Sequence, residues 1–504
     1  MSAEESKFKR NLTLKDLILI GIGGTIGPGI FLLTSSSVGF AGPAAIVTHL
    51  LVILIVLFSA FSYSELATMF PIAGGGYVFV RKGIGGLSSF LTGFFIYFAE
   101  IAYGAFSAFS FALIFGDLLA TFGVFLTFNE KIFLAEIAIL AFSFINLKGG
   151  KGSKSVQIVL SLILATFLLI ILSIGGFRTF TAGFWPSDFI PYGTFSIFTS
   201  MAIIYVMYFG SLEILSAMSG EVIEPERNIP RGIIGTVLIA ATIYTLVTLI
   251  IIFNVPYTTL HEYVIRGETP NALLWIAQDT LGIAGATIIG IIGIIATLSS
   301  LNVTLSAASR VSYALAYDEY FPKAFAKKDP KKGSPRNSII LTTLIMAMLA
   351  STGLSLFIAS VANLLLILCL AIVNLNVIIL KHKRPYLKRP FRSPVYPYIT
   401  IIATIANFLM LPAIIAIDPR AILLGGGIAA VAFLIFAYNL AGIARVRIQV
   451  SGMCLGASFL LLLGLYFVFV YQPIYYSVLL FIIGMAIFAI AIFGIISALV
   501  LFSD

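Results

Sequence analysis

A glycine-rich stretch near the start of the chain is the first part of this sequence that could do chemistry. Residues 21–29 read GIGGTIGPG, with five glycines and one proline. Inside a helix, glycine costs about 1 kcal/mol and proline about 3 kcal/mol relative to alanine, so a helix through this stretch should be interrupted. An interruption leaves backbone N–H and C=O groups without helical partners, and these groups can bind a polar ligand.

A second stretch, residues 208–213 with the sequence YFGSLE, also predicts an interruption inside an apolar run. Together the two breaks suit a ligand that carries an ammonium and a carboxylate group. Carbonyls that end one half-helix accept from the ammonium, and amides that open the next half-helix donate to the carboxylate. The alternative is structural, because Gly23 and Gly27 also form a small-xxx-small motif that lets two membrane helices approach closely.

Two acidic residues, Glu100 and Glu213, lie within apolar runs, where a carboxylate costs about 2.5–3.5 kcal/mol on insertion scales. Glu100 shares a helical face with Tyr97, Gly104 and Ser107, which predicts that it faces other helices. For Glu100 the functional interpretation is proton coupling or side-chain recognition, and the alternative is a structural hydrogen-bond network.

Three further acids, Glu65, Glu136 and Asp117, lie near the ends of apolar runs, which predicts ordinary solvation at the membrane interface. The three histidines are far apart in the sequence, and Cys369 and Cys454 lie in apolar runs, so no metal set is indicated. No nucleophile and base pair emerges either, and we expect neither an enzyme nor a cofactor.

The elements that must position these residues are membrane helices. The chain has 504 residues, of which 60% are hydrophobic and 10% are charged, whereas about a quarter of an ordinary soluble domain is charged. Uncharged apolar runs of about 20 residues match the length of a helix that crosses a bilayer. Charges and turn residues predict fourteen spans, at residues 17–38, 44–63, 87–115, 132–147, 156–177, 195–218, 233–253, 282–306, 338–350, 354–380, 398–417, 421–440, 450–471 and 477–502.

The distribution of basic residues predicts the orientation of these spans. If the N-terminus is cytoplasmic, all but four of the 30 basic residues lie in inner segments; the four are Lys131, Arg178, Arg266 and Arg420. This asymmetry follows the positive-inside rule and places both termini in the cytoplasm. It accounts for the net charge of +9 without a nucleic-acid partner. The basic segments 323–332 and 381–392 can touch anionic membrane lipids, although a solvated inner surface is the simpler interpretation.

The breaks fall in the first and the sixth predicted span, five spans apart. An odd number of spans gives the two halves opposite orientation, so the pattern predicts two inverted repeats of five helices. We therefore expect a cytoplasmic tail at residues 1–16 and a ten-helix core at residues 17–380. Within the core, the repeats cover about residues 17–177 and 195–380, and residues 381–504 form a basic loop and four additional helices.

Five motifs occur in the order found in one large family of membrane proteins. They are GIGGTIGPGIF from Gly21, ELATMFPIAGGGYVFVRKGIG from Glu65, GEVIEPERNIPRGI from Gly220, the segment 298–337, and KRPYLKRPFRSPVYP from Lys383. The sequence thus resembles the amino acid–polyamine–organocation (APC) superfamily of transporters. The resemblance implies an all-α, LeuT-like inverted-repeat fold with discontinuous helices 1 and 6, and alternating access for amino acids or related amines. Fourteen spans are typical of its cationic-amino-acid-transporter-like branch.

The resemblance also implies roles for individual residues. The substrate ammonium would meet the carbonyls of Thr25, Met207 and Gly210, and the carboxylate would meet the amides of Gly29 and Ile30. Ile26, Gly27, Tyr208 and Ser211 would complete the site, and Phe209 would be an aromatic gate. Glu213 lies where the resemblance places an acid after the break in the sixth span, and for it we favour gating or proton-linked transport over a helix-capping role.

Two positions depart from the family pattern. Pro28 replaces a small residue with an amide, and Ser211 occupies a position where glycine is usual.

The coupling ion is left open by the sequence. Proton-coupled relatives often carry a lysine in the fifth span, and Leu164 occupies that approximate position here. The alternatives are proton transfer through Glu100 or Glu213, exchange of substrates, or a sodium site at Ser299 and Ser300. A nutrient sensor that keeps the transporter fold is a further possibility. The substrate's identity and the oligomeric state are not predicted.

Overall fold

The computed structural model describes residues 10–72, 74–148, 188–327, 329 and 334–438. Within these ranges the chain is helical, and the sole β-type pairing is an isolated bridge between Leu12 and Val222. The all-α class predicted from the sequence is therefore confirmed. The fifth predicted span, with Leu164, and the last two predicted spans lie outside the described residues.

The first half of the chain contains six described helices. They are α1 (Leu14–Thr25), α2 (Gly29–Ala41), α3 (Ala45–Met69), α4 (Gly75–Gly83), α5 (Gly86–Ala120) and α6 (Phe128–Leu147). Capping boxes begin two of these helices, because Thr13 and Asp16 at α1, and Thr127 and Glu130 at α6, satisfy each other's backbone amides. The predicted first span is thus two helices, α1 and α2, with a break between them.

The second half begins with α7 (Phe195–Ile204), a 3-10 segment (Tyr205–Tyr208) and α8 (Phe209–Ala217), which together form the predicted sixth span. The helices that follow are α9 (Pro225–Asn254), α10 (Tyr257–Ile265), α11 (Ala272–Tyr317), α12 (Arg336–Ala350), α13 (Ser355–Lys383), α14 (Tyr398–Leu409), α15 (Leu411–Ile417) and α16 (Pro419–Tyr438). The described residues up to 418 belong to one compact unit, and those from Pro419 belong to a second unit.

Most predicted span boundaries agree with the helices to within a few residues. The turn expected at residues 351–353 separates α12 from α13, and Gly353 has a φ of 65° there. The long helix α11 is kinked at Gly282, where φ is 64°, and this is the residue at which the eighth span was predicted to begin. The short helices α4 and α10 were not predicted.

Six helical stretches among the described residues are long and apolar enough to cross a membrane. They are Gly29–Met69, Gly86–Ala120, Phe195–Ala217, Pro225–Asn254, Ala272–Tyr317 and Ser355–Lys383. The first of these stretches joins α2 and α3, and shorter apolar helices occur at Arg336–Ala350, Tyr398–Ile414 and Pro419–Phe433. The described helices therefore define a multi-pass membrane protein, and the count of fourteen spans stays a prediction.

Helix packing brings the two interrupted spans together. The half-helix α1 packs against α8 and α9, while α2 packs against α7 and α10. The kinked helix α11 packs along α5 and also contacts α1 and α2. As a result, the break between α1 and α2 lies beside the 3-10 segment between α7 and α8.

Candidate functional site

The break in the first span begins directly after Thr25. Ile26 leaves the helical conformation with φ −83° and ψ 98°, Pro28 is the N-cap of α2, and α2 begins at Gly29. The amides of Gly29 and Ile30 open this helix, and neither has an acceptor among the described residues. The first turn of α2 can therefore donate hydrogen bonds to an anionic group, as predicted from the glycine and proline content.

The break in the sixth span is a tightened helix. A 3-10 segment, Tyr205–Tyr208, replaces a turn of α-helix, and α-helical geometry resumes at Phe209. Gly210 therefore lies inside α8, and a carbonyl there belongs to the hydrogen bonding of the helix itself. Its role as an ammonium ligand stays a prediction. Of Phe209, the expected gate, only the backbone belongs to the described structure.

Gly210 has a packing role that explains its residue type. A Cβ atom built on Gly210 would lie 2.2 Å from the carbonyl oxygen of Gly24 and 2.9 Å from the amide nitrogen of Thr25. The backbone of α8 thus touches the last turn of α1 directly. Only glycine permits this approach, because both opposing atoms belong to rigid backbone.

The two breaks meet at the side chain of Tyr244 in α9. Its hydroxyl donates a 2.7 Å hydrogen bond to the carbonyl oxygen of Thr25, and the carbonyl oxygen of Met207 lies 3.4 Å from the same hydroxyl. Both carbonyls were predicted to face the substrate ammonium, and the structure brings them to one point. A carbonyl oxygen has two lone pairs, so the carbonyls of Thr25 and Met207 each keep one lone pair for a ligand beside the contact with Tyr244.

Other groups around this point are buried without partners. The hydroxyls of Thr25 and Tyr208 have no hydrogen-bond partner among the described residues, although both are fully buried. The hydroxyl of Ser211 donates to the carbonyl of Tyr208 at 2.7 Å, so Ser211 supports the local turn. Unpaired buried hydroxyls are costly, which is consistent with a site that is completed by a polar ligand.

Met207 covers the start of α2. A Cβ atom built on Gly29 would lie 2.6 Å from Cγ of Met207 and 3.3 Å from its sulfur. The flexible thioether therefore lies over the helix terminus that could bind a carboxylate. Because methionine changes rotamer easily, it can move aside when a ligand enters.

Gly27, in the break itself, faces α11 and α5. A Cβ atom built there would lie 2.9 Å from Oγ of Ser300 and 3.4 Å from the hydroxyl of Tyr103. The Ser300 hydroxyl accepts a 3.1 Å hydrogen bond from Ser107, and Ser299 is buried beside it in the chain. The structure therefore places the predicted sodium residue Ser300 against the break.

Glu213, in the middle of α8, connects this helix to α3 and α4. Its carboxylate accepts hydrogen bonds from the hydroxyl of Tyr63 at 3.0 Å and from the amide of Gly76 at 3.0 and 3.2 Å. Gly76 lies in the first turn of α4, so the carboxylate stabilises the positive end of that helix. The capping alternative is thus present in the structure, and a gating role for Glu213 stays a prediction.

The other end of α4 is held by Asp318, the C-cap residue of α11. Arg81 forms a 2.7 Å ion pair with Asp318, and the hydroxyl of Tyr77 donates to the same carboxylate. Burial and the hydrogen bond to Asp318 raise the pKa of Tyr77, so its hydroxyl stays protonated and continues to donate. The short helix α4 therefore links α8 to the end of α11 through two carboxylates.

Glu100 lies in the middle of α5 and is 1% exposed. Neither carboxyl oxygen has a hydrogen-bond partner among the described residues. A structural hydrogen-bond network was the alternative to a functional role, and no such network is present in this part of the chain. A buried carboxyl without partners is costly for the folded state, which favours a functional reason for Glu100.

The prediction that Glu65 is solvated at the interface was wrong. Glu65 is 2% exposed, pairs with Arg389 and accepts a 2.8 Å hydrogen bond from the amide of Ser393. The pair fixes the basic loop after α13 to the end of α3. Asp117 and Glu136 are partly exposed, and Asn271 donates to Asp117 at 3.4 Å.

Sequence reasoning missed Tyr244 and two asparagines, Asn363 and Asn407, that contact the 3-10 segment. In the sequence they are single polar residues inside apolar runs. The signal that could have drawn attention to them is their polarity within a span, where an unpaired amide is unfavourable. Their partners in the two breaks are 37 to 219 positions away in the chain, beyond the i+3 and i+4 spacings of a helix, so no local pattern identifies them.

Buried backbone amides without acceptors and backbone carbonyls converge inside a helical membrane protein, and they define a polytopic protein with an interior polar site. The chain belongs to the amino acid permease family, whose family model matches residues 16–418. This confirms the resemblance to the APC superfamily.

Three relatives illustrate the range of named functions in the family. The chain is similar to a methylthioribose transporter of Bacillus subtilis (strain 168), with 30% identity over 419 residues that cover 80% of this chain and 87% of the relative. A branched-chain amino acid permease, BcaP, of the same organism is 26% identical over 78% of this chain and 86% of its own length. Cationic amino acid transporter 7 (chloroplastic) of Arabidopsis thaliana is 28% identical over 68% of this chain, which spans 61% of that protein.

Proposed function

We propose that this protein is a secondary-active transporter that moves amino acids across the cell membrane by alternating access. The observation that carries the proposal is the convergence of the Thr25 and Met207 carbonyls on the Tyr244 hydroxyl. It places both interrupted spans at one buried point, next to the free amides that open α2. Membership of the amino acid permease family supports the same function.

Recognition of the amino acid follows from these groups. The carboxylate accepts from the amides of Gly29 and Ile30, where the positive end of α2 favours an anion. The ammonium donates to the carbonyls of Thr25 and Met207, each of which keeps a lone pair beside the bond from Tyr244. Entry of the substrate displaces the side chain of Met207 from Gly29.

The proposed architecture has fourteen spans in a LeuT-like fold. Two inverted repeats of five helices, at about residues 17–177 and 195–380, form the core, and residues 381–504 add the basic loop and four helices. The breaks in the first and sixth spans support the repeat. Both termini are cytoplasmic in this proposal, in agreement with the distribution of basic residues.

Coupling to protons, or exchange of one amino acid for another, is the proposed source of energy. Glu100 supports proton coupling because it is a buried carboxyl without hydrogen-bond partners among the described residues. Glu213 supports it because its carboxylate touches both α3 and α4. A sodium ion bound by Ser299, Ser300 and carbonyls of the first break is the alternative, supported by the approach of Ser300 to Gly27.

A second candidate function is transport of a neutral sugar thioether. The observation that favours it is the 30% identity to a methylthioribose transporter. Such a substrate has hydroxyls in place of an ammonium and a carboxylate, and the same backbone amides and carbonyls can bind hydroxyls. A sensor that binds an amino acid without moving it is the remaining alternative.

Counterflow in proteoliposomes distinguishes these functions. Purified protein is loaded with each of the twenty amino acids or with methylthioribose, with and without a pH gradient and with and without sodium. We expect saturable counterflow of one group of amino acids, stimulated by an inward proton gradient or by exchange alone. Methylthioribose as the sole substrate would replace the proposal with the second candidate, and binding without flux of any compound would favour a sensor.

A further inference from the structure

The 3-10 segment Tyr205–Tyr208 is held by side chains from three other helices. Asn363 of α13 contacts Val206, Asn407 of α14 contacts Tyr205, and Tyr244 of α9 reaches Met207. A 3-10 turn has poorer hydrogen-bond geometry than an α-helix and usually needs support from its surroundings. The contacts with these three helices supply this support.

Asn363 makes the most complete of these contacts. Its side-chain oxygen accepts a 2.6 Å hydrogen bond from the amide of Val206, and its side-chain nitrogen donates to the carbonyl of Ile203 at 3.2 Å. The nitrogen also donates to the carbonyl of Ala359 in its own helix at 3.0 Å. One side chain thus supplies an acceptor and a donor to the end of α7, as a neighbouring peptide group would do.

The partner residues determine which side chain can act here. The Val206 amide needs an acceptor and the Ile203 carbonyl needs a donor, so a group with only one of these functions satisfies half of the pair. Asn363 is fully buried, and water cannot replace either bond. An isosteric leucine would leave the Val206 amide, one residue from Met207, without its acceptor, and would remove the donor to the Ile203 carbonyl.

Tyr205 provides a second connection to the same segment. Its hydroxyl donates a 2.7 Å hydrogen bond to the side-chain oxygen of Asn407, whose nitrogen donates to the carbonyl of Ala403 at 2.9 Å. Tyr205 and Asn407 are both buried. Through this bond α14, the first helix after the basic loop, contacts the segment that carries the Met207 carbonyl.

We propose that Asn363 is a positioning residue for transport: by bonding Ile203 and Val206 it fixes the 3-10 segment and so sets where the Met207 carbonyl meets the substrate. Asn407 contributes to the same effect through Tyr205. This inference rests on the proposed function. It assigns a role to α13 and α14, neither of which contributes a predicted substrate ligand.

The test compares Asn363→Leu with Asn376→Leu in proteoliposomes. Asn376 is a matched control because it is a buried asparagine of the same helix, about 20 Å further along it, and donates to the carbonyl of Phe79 in α4 rather than to the break. We expect Asn363→Leu to raise the apparent KM about tenfold, as the loss of a buried hydrogen-bond pair next to a ligand does. Asn376→Leu should also lower the melting temperature, because it removes the hydrogen bond to Phe79, but it should leave KM within about twofold.

Hydrogen exchange gives a readout that does not depend on transport. The amide of Val206 should exchange faster in Asn363→Leu than in Asn376→Leu, because only the first variant removes its acceptor. Equal KM values and equal Val206 exchange in the two variants would overturn the inference, even if both remain active. If the wild-type protein moves no tested compound, the proposed function fails, and faster Val206 exchange still supports the role of Asn363 in the segment.

Asn363→Asp tests whether position 363 needs both a hydrogen-bond donor and an acceptor. It also replaces the leucine variant if that variant does not fold. A protonated carboxylic acid accepts from Val206 and donates to Ile203, whereas an ionised carboxylate can only accept. The ratio of its KM to the wild-type KM should therefore fall toward one as the pH is lowered. A ratio above about fivefold that does not change with pH would contradict the proposal.

A double-mutant cycle tests the second connection. Tyr205→Phe and Asn407→Leu should raise KM by similar factors, because each variant removes the hydrogen bond between Tyr205 and Asn407. The KM of the double variant should therefore resemble that of either single variant. Effects that multiply would show that Asn407 does not act through Tyr205 and would remove α14 from the inference.

Discussion

The Tyr244 hydroxyl and the Thr25 carbonyl oxygen lie 2.7 Å apart, although 219 positions separate the two residues in the chain. Thr25 ends α1, and Tyr244 lies in the middle of α9. This bond fixes the direction of a carbonyl that has no partner within its own helix. It gives α9 a part in the proposed site that the two broken helices alone do not explain.

Tyr244→Phe should therefore impair substrate binding more than folding. The variant keeps the ring and loses one buried hydrogen bond, worth about 0.5–1.5 kcal/mol. We expect an apparent KM up to about tenfold higher in uptake assays. Tyr317→Phe, at an exposed tyrosine of α11, is the matched control and should leave KM unchanged. Equal KM values for the two variants would show that Tyr244 does not contribute to substrate binding.

Gly210→Ala should separate α8 from α1. The new methyl group would lie 2.2 Å from the carbonyl oxygen of Gly24, and one of the two backbones must move. We expect uptake to fall at least about tenfold and stability to fall by about 1–3 kcal/mol, as for other overpacked sites.

Gly235→Ala is the control for this substitution, because the nearest atom to its Cβ would be 4.0 Å away. In α9 the alanine should be neutral or stabilise by up to about 1 kcal/mol. The measurements are initial uptake rates and melting temperatures of both variants. A fully active Gly210→Ala would mean that the contact between α1 and α8 is not needed for transport.

Gly29→Leu should abolish substrate binding while the protein remains folded. The leucine side chain would occupy the space between the start of α2 and Met207. Binding can be measured by isothermal titration calorimetry and folding by the melting temperature. Gly29→Ala should reduce substrate binding less than Gly29→Leu does, because the side chain of Met207 can move away from the new methyl group. Adding Met207→Ala to Gly29→Ala should restore part of the lost uptake. Normal uptake by Gly29→Leu would contradict the proposed carboxylate site.

Glu100→Gln and Glu213→Gln should each change the pH dependence of uptake if protons pass through these residues. Glu100→Gln removes no hydrogen bond seen among the described residues, so its melting temperature should not fall. Glu213→Gln weakens the contacts with Tyr63 and Gly76 and should also lower stability. Uptake measured from pH 5 to 8 is the readout. Two unaltered profiles would remove both residues from the proton path.

Breaking the pair of Glu65 and Arg389 should cost about 3–5 kcal/mol, because each residue is almost fully buried. Glu65→Gln is the simplest variant, and thermal unfolding is the measurement. The exposed pair of Glu226 and Lys388 is the control, and Glu226→Gln should cost less than about 1 kcal/mol. Similar losses for both would show that the buried pair does not hold the basic loop to α3.

The break in the first span could be predicted because its cause is local. Glycine and proline destabilise a helix wherever they are clustered, and α1 does end at Thr25, within the predicted stretch. The sixth span has one glycine, and the structure places Gly210 after the break, in α8. The 3-10 geometry there depends on Asn363, which is distant in the chain, and no local propensity encodes it.

Long-range pairing also explains why the sequence predictions for charged residues were wrong or incomplete. Glu65 looks like an interfacial acid because its position near the end of an apolar run is visible in the sequence. Its partner Arg389 is 324 positions away, in a loop that otherwise appears merely basic. Burial of Glu100 was predicted from its helical face, whereas the lack of partners within the described chain depends on the packing of other helices.

The helix α4 has a fixed length, about 13 Å for nine residues. Glu213 binds the amide of Gly76 in the first turn of α4, whereas Asp318 binds Tyr77 in the same turn and Arg81 in the last turn, so α4 is a rigid connection between the two carboxylates. Glu213 and Asp318 can move together with α4 as one rigid body without breaking any of these contacts. If they move apart by more than a hydrogen bond can stretch, one of the two carboxylates must release α4.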